Sequence, residues 1–117
     1  MKTLCIIRDI YNALYRFETE FEQAYSLSIN EAMLLCAIEE TGKAITSTAL
    51  SELTGMAPSH TSKVIRTVED KGLIKRAFGE TDKRQMYFTL TPKGEKDLKE
   101  INLGKIQIPD ILQSIMK

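Results

Sequence analysis

The sequence has no apolar stretch long enough to cross a bilayer. Its first apolar run, from Leu4 to Ile7, is short and ends at Arg8 and Asp9. This run lacks the longer apolar region and the small-residue cleavage site of a signal peptide. We therefore expect a cytoplasmic protein that does not contact a membrane.

Cysteine and histidine are also scarce. Cys5 and Cys36 lie far apart and form no metal-ligand spacing, so we expect free thiols that serve as small core residues. His60 is the single histidine, and neither cysteine has a base nearby in the sequence. No phosphate-loop or dinucleotide-binding motif occurs. We expect no catalytic residues, no metal site and no cofactor, and hence no enzyme.

Net charge is zero, but the charges are unevenly distributed along the 117 residues, a length typical of one domain. Residues 1–57 contain four basic and eight acidic residues, whereas residues 58–93 contain eight basic and four acidic ones. Residues 94–117 contain four of each. A basic third within a neutral chain indicates a face that binds a polyanion.

The chain begins with a long helical pattern over residues 3–25, without glycine or proline. A single small domain can hardly cover so long an apolar stripe, so we expect part of it to meet another chain. The stripe contains Leu4, Ile7, Tyr11, Leu14, Phe17 (or the neighbouring Glu18 position), Phe21 and Tyr25.

A second helix follows, for which Ser28 and Glu31 form the spacing of a capping box. Gly42 supplies its end. The expected inner face contains Met33, Leu34, Ala37 and Ile38.

Two short helices joined by a glycine-containing turn come next, which is the pattern of a helix-turn-helix. Thr46 caps the first of these helices, which buries Leu50 and Leu53 and ends at Gly55. Pro58 occupies the first position of the second, where its missing N–H costs nothing.

This second helix has two contrasting faces and is predicted to extend to about Lys71. Its apolar spacing predicts a buried face of Thr61, Val64, Ile65 and Val68. The opposite face carries small hydroxyls and cations, which suit a groove between phosphates. That face contains Ser59, Ser62, Lys63 and Arg66, with His60 and Thr67 on its flank.

After Gly72 the spacing of apolar residues changes from helical to every second residue, which is typical of a β-strand. Residues 73–78 and 85–90 are predicted to form a hairpin whose tip carries Lys83 and Arg84. Thr91 and Pro92 then start a helix that continues to about Leu103, and Pro109 starts a last short one. The expected fold class is mainly α with a small β-hairpin wing (α+β).

The hairpin and its surroundings resemble the MarR family of bacterial regulators. The family's D-x-R-x5-L-T-x2-G pattern is matched without a gap. Residues 68–74 also resemble the family's sequence at the end of its recognition helix. Thr54 and Ala57 depart from it, since a large aliphatic residue and a capping hydroxyl are usual there. The pattern is matched by Asp82, Arg84, Leu90, Thr91 and Gly94.

The resemblance implies a winged helix-turn-helix with flanking dimerisation helices. We expect a single domain over residues 1–117, with the helix-turn-helix and wing at 46–90 and dimerisation helices at 1–27 and 92–117. The implied function is a sequence-specific DNA-binding transcriptional regulator, a homodimeric repressor whose affinity for double-stranded DNA a small-molecule effector modulates. In the family the wing arginine, here Arg84, reaches the minor groove, and the aspartate, here Asp82, helps to hold it.

Other interpretations of these residues stay open. Asp82 and Arg84 could form only a turn-stabilising ion pair, and His60, Lys63 and Arg66 could be solvated surface groups. The alternative function is a winged-helix protein-interaction module without specific DNA binding. The DNA-binding candidates are Ser59, His60, Ser62, Lys63, Arg66, Thr67, Asp82, Lys83 and Arg84.

Overall fold

A computed structural model describes residues 2–79, 84–102 and 108–113 of the chain. It is mainly helical, with one antiparallel hairpin of two strands. The elements are α1 (Lys2–Tyr25), α2 (Ile29–Thr41), α3 (Ser47–Thr54), α4 (Pro58–Asp70), β1 (Ile74–Phe78), β2 (Met86–Leu90), α5 (Pro92–Asn102) and α6 (Asp110–Gln113).

The chain divides into two compact units. The first contains the chain up to Ile29 together with α6, and the second contains residues 30–102. In the first unit, Ile108 and Pro109 line a groove with Ala13 and Phe17 of α1. Farther along α1, the Phe21 ring lies 4.8 Å from the Tyr25 ring, centroid to centroid.

In the second unit, α2 supplies much of the core. Leu34 and Leu35 are fully buried, and Ala37 and Ile38 are nearly so. The prediction that Met33 is buried is wrong, because this side chain is 41% exposed. Apolar residues occur on most faces of α2, so their spacing alone could not select the inner one.

The helix-turn-helix is formed by α3 and α4. The Thr46 side chain accepts a hydrogen bond from the Ala49 N–H at 3.2 Å, and Gly55 ends α3 with φ +78°, as predicted. Leu50 is fully buried, but Leu53 is 61% exposed, which contradicts its prediction as a core residue. The buried face of α3 contains Leu50 and Ser51. Since successive helical residues are rotated by about 100°, Leu53 lies on the far side from Ser51.

Buried hydroxyl groups hold the turn between the two helices. The Ser51 and Thr61 hydroxyl oxygens lie 2.8 Å apart, and the Thr61 hydroxyl also donates to the Ala57 carbonyl at 3.0 Å. The Met56 carbonyl oxygen lies 3.1 Å from the Ser51 hydroxyl oxygen. Ala57 has no side chain that could cap α4, so Thr61 and Ser51 supply the polar contacts of this turn from within the helices.

The strands pair in antiparallel register, with Ile74 opposite Leu90 and Phe78 opposite Met86. An isolated bridge joins Ile45 to Phe88 on β2 through two backbone hydrogen bonds of 2.8 and 3.2 Å. Ile45 directly precedes the residue that caps α3. This bridge therefore fixes the start of the helix-turn-helix to the wing.

The two cysteines are free thiols, as predicted, but both are exposed. Their assignment to the core is therefore wrong. Cys36 lies on the outer side of α2, where its Sγ contacts Glu40 Oε1 at 3.7 Å. Partial shielding of the Sγ atom from solvent, followed by the negative charge of Glu40, raises the pKa of the Cys36 thiol.

Candidate nucleic-acid interface

Helix α4 presents the two faces that its sequence predicts. Thr61, Val64, Ile65 and Val68 are buried, and Val68 has no exposed surface. These contacts hold the helix against its own unit and leave the opposite face open to a partner. The six candidate residues on α4 are all exposed: Ser59, His60, Ser62, Lys63, Arg66 and Thr67.

An open groove of about 410 Å³ lies between α4, the start of α3 and the wing. Arg66 enters it from α4, Arg76 from β1 and Arg84 from the base of the hairpin loop. Three guanidinium groups thus line one groove, although the whole chain is neutral. Their neighbours are hydroxyl groups, one amide and apolar side chains: Thr46, Ser47, Thr48, Ser62, Gln85, Ile65, Met86 and Phe88.

The structure describes only part of the predicted hairpin tip. Arg84 is described and exposed, and it lines the groove together with Arg66. Asp82 and Lys83 lie outside the described residues. The suggested ion pair between Asp82 and Arg84 therefore stays a prediction.

Arg76 also lines this groove, although it is not among the DNA-binding residues predicted from the sequence. Its Nε and Nη2 atoms donate to Glu69 Oε2 and Oε1 at 2.6 and 2.5 Å. The hydrogen bond from Arg76 lowers the pKa of the Glu69 carboxyl and raises that of the guanidinium. A signal was present in the sequence, because Arg76 interrupts the apolar face of β1 between Ile74 and Phe78.

The C-terminal end of α4 is fastened by a second ion pair. Lys71 Nζ lies 2.6 Å from Glu31 Oε1, and Glu31 is buried near the start of α2. Lys93 of α5 donates to the Lys71 carbonyl at 3.0 Å. The sequence assigned Glu31 only to a capping box, because a partner forty residues away leaves no local pattern.

The threonine of the wing pattern has a structural role. The Thr91 hydroxyl donates to the Gly72 carbonyl at 2.6 Å and accepts from the Gly94 N–H at 3.1 Å. It therefore joins the turn after α4 to the first turn of α5. These contacts fix both ends of the wing, from which Arg76 and Arg84 extend.

Other kinds of site find no support in the described part of the chain. No group of three or more His, Cys, Asp or Glu residues could hold a metal ion there. No helix formed by these residues is both long and apolar enough to span a membrane.

The fold is shared with solved winged-helix structures. A MepR-like protein, crystallised with pseudoligands, has a TM-score of 0.77 at 22% identity, over 87% of this chain and 71% of its own. Staphylococcus aureus MepR in complex with DNA has a TM-score of 0.67 at 16% identity, over 95% of this chain and 85% of its own. At such low identity the likeness establishes the winged helix-turn-helix fold.

Sequence comparison gives the family. An uncharacterised HTH-type transcriptional regulator of Bacillus subtilis, YwaE, is 25% identical over 105 residues, which cover 86% of this chain. The chain spans 61% of that relative's length. The sequence profile of the MarR family matches residues 27–86, which is more than half of the chain and includes both helices of the helix-turn-helix. The chain therefore belongs to the MarR family of transcriptional regulators.

Proposed function

We propose that the chain is a sequence-specific regulator that binds double-stranded DNA as a homodimer and represses by occluding promoters. The observation that carries this proposal is the exposed cationic and hydroxyl face of α4, which adjoins a groove with three guanidinium groups. Such a surface is complementary to the grooves of DNA, which are lined by phosphates.

Two parts of the surface would contact DNA in different ways. The N-terminal half of α4 would enter the major groove, where Lys63 and Arg66 reach base edges or phosphates and Ser59 and Ser62 allow close approach. Arg84 would reach the minor groove beside it, since a narrow minor groove attracts arginine. Asp82 and Lys83 would assist at the tip. That MepR, which shares the fold, has been crystallised in complex with DNA supports DNA as the partner of this surface.

The exposed side of α1 supports the homodimer. Leu4, Ile7, Tyr11 and Leu14 recur at helical spacing and are between 41% and 69% exposed. A contiguous apolar surface of this kind marks an interface. Residues 103–107 and 114–117, which belong to the second predicted dimerisation segment, lie outside the described residues.

We further infer that a small-molecule effector modulates the affinity for DNA. The proposal rests on membership of the family and on the pseudoligands bound by the MepR-like relative. An effector can act only by binding the DNA-competent and incompetent arrangements with different affinity. No catalytic role is proposed for the chain.

A titration with DNA at two salt concentrations tests the function. The protein would first enrich a duplex from a random library, and its affinity for that duplex would be compared with its affinity for a mixed-sequence duplex. A specific regulator binds the enriched duplex about 10³-fold tighter or more, and both affinities fall as salt rises. If no duplex is enriched and binding is absent even at low salt, the chain is a protein-interaction module instead.

A further inference from the structure

One ion pair joins the proposed DNA-reading helix to the wing. Glu69 lies in the last turn of α4, and Arg76 lies in the middle of β1, seven residues later and beyond the turn at Gly72. The two side chains meet in a fork, with both carboxylate oxygens accepting from the guanidinium at 2.6 and 2.5 Å. A bidentate pair fixes direction as well as distance.

The same guanidinium also contacts the second strand. Its Nη1 atom donates to Met86 Sδ at 3.1 Å, and its central carbon lies 5.6 Å from the centre of the Phe88 ring. Arg76 therefore contacts α4 on one side and β2 on the other, while its backbone belongs to β1. One side chain connects the recognition helix to both strands of the wing.

The charge of Glu69 is unfavourable for binding DNA. Its carboxylate pairs with Arg76, which lines a groove that would face phosphates, and an anion beside that groove repels them. Attraction between charges alone would favour a neutral residue at this position. The fork with Arg76 is the contact through which Glu69 can offset this repulsion.

We propose that Glu69 and Arg76 are positioning residues that set the angle of the wing against α4, so that Arg66 and Arg84 engage one DNA site together. This inference rests on the proposed function. Both arginines line the groove that the Glu69–Arg76 pair borders, one from the helix and one from the hairpin. A wing that is held less firmly would lose more entropy when both guanidinium groups bind.

Glu69→Gln tests the proposal because a positioning role predicts weaker specific binding to DNA, whereas simple charge repulsion predicts tighter binding. The change keeps the shape of the side chain and removes a negative charge beside the DNA. If the pair positions the wing, affinity for the enriched duplex falls by roughly two- to tenfold, which corresponds to the lower part of the range of couplings between contacting side chains. The salt dependence stays unchanged because no phosphate contact is lost. Affinity for the mixed-sequence duplex does not fall.

Two further variants provide controls. Arg76→Lys keeps the positive charge but cannot form the fork, so it is expected to weaken specific binding to a similar extent. Asp70→Asn removes one negative charge from the adjacent, exposed position at the end of α4 and is expected to leave specific binding unchanged or slightly tighter. Circular dichroism on heating would show that all three variants fold.

The outcomes separate the possibilities. Tighter binding by Glu69→Gln would show that Arg76 is a phosphate ligand that Glu69 holds back, and it would overturn the positioning role. Parent-like affinity of both Glu69→Gln and Arg76→Lys would also overturn it. Failure of the parent protein to enrich any duplex would instead refute the proposed DNA-binding function.

Discussion

Gly94 approaches the backbone of Leu73 so closely that a Cβ built on it would lie 2.1 Å from the Leu73 carbonyl oxygen. The same carbonyl accepts a hydrogen bond from the Thr91 N–H at 3.0 Å. The start of α5 is thus packed directly on the turn that follows α4. The glycine of the wing pattern is explained by this packing, because any side chain would separate the two segments.

Gly94→Ala is therefore expected to destabilise the protein. In an exposed helix this substitution stabilises by about 1 kcal/mol, because alanine is the better helix former. Here the new methyl group must push away backbone atoms, which costs about 1–3 kcal/mol or more. Urea unfolding measures the change. Lys96→Ala, at an exposed position of the same helix, is the control and should change the free energy of unfolding by less than about 0.5 kcal/mol.

Thr61→Val is expected to lower the free energy of unfolding by about 1–3 kcal/mol, although it preserves volume. The Thr61 hydroxyl is buried and bonded to Ser51 and to the Ala57 carbonyl, so its removal leaves buried groups with fewer partners. Thr67→Val removes an exposed hydroxyl from the same helix and should have a smaller effect. Adding Ser51→Ala to Thr61→Val should cost less than the sum of the single changes; strict additivity would show that the pair does not interact.

The arrangement of α4 could be predicted because its sequence is strongly periodic. Thr61, Val64, Ile65 and Val68 recur at one helical spacing, and polar residues occupy the other side. In α3 the helix is only eight residues long, so two leucines could not define its inner face and Leu53 was misplaced. The predicted burial of Cys5 and Cys36 is also wrong: it rests on residue type alone, and both thiols are exposed.

The features of the candidate interface that could not be predicted from the sequence depend on contacts across turns. Arg76 was recognised only as one cation of a basic third of the chain, because its link to Glu69 depends on how β1 folds back on α4. The bridge between Ile45 and Phe88 likewise pairs a single residue with a strand and leaves no pattern of alternation. These tertiary contacts position the candidate interface, whereas its exposed residues could be found from helical spacing.

Lys63→Ala and Arg66→Ala are each expected to weaken DNA binding while the fold stays intact, because both side chains are exposed opposite the buried face of α4. A lost contact to a base edge costs about 1–3 kcal/mol and relaxes specificity, whereas a lost phosphate contact weakens all sequences alike and reduces the salt slope. Fluorescence anisotropy with the enriched and mixed duplexes distinguishes the two. Unchanged affinity of both variants would refute the assignment of α4 as the reading helix.

The Cys36 thiol is expected to react slowly with iodoacetamide at neutral pH despite its exposure. Its raised pKa leaves less thiolate, which is the reactive form, and Glu40 contributes to that shift. In a Cys5→Ser background, Glu40→Gln should accelerate alkylation of Cys36 by roughly two- to fivefold. Glu52→Gln, on α3, should leave the rate unchanged. Equal rates with and without Glu40 would show that its charge does not act on the thiol.

The apolar stripe on α1 predicts a dimer that charge can disrupt. Ile7→Glu combined with Tyr11→Glu places two carboxylates at i and i+4 on the stripe, where burial in an interface would cost several kcal/mol. Light scattering at micromolar concentration should then detect a monomer of 13.3 kDa in place of a dimer. Operator affinity should fall further than any single contact residue explains, because the two half-sites, about 34 Å apart, would no longer be bound together.

A matched variant controls for the added charge. Asn12→Glu combined with Gln23→Glu places two carboxylates at exposed positions of α1 that lie away from the stripe. This protein should remain dimeric and bind the enriched duplex like the parent, since neither new charge would be buried. If both double variants dissociate alike, net charge and not the stripe controls association. A parent protein that is itself monomeric at this concentration would refute the dimer and the two-half-site mechanism that depends on it.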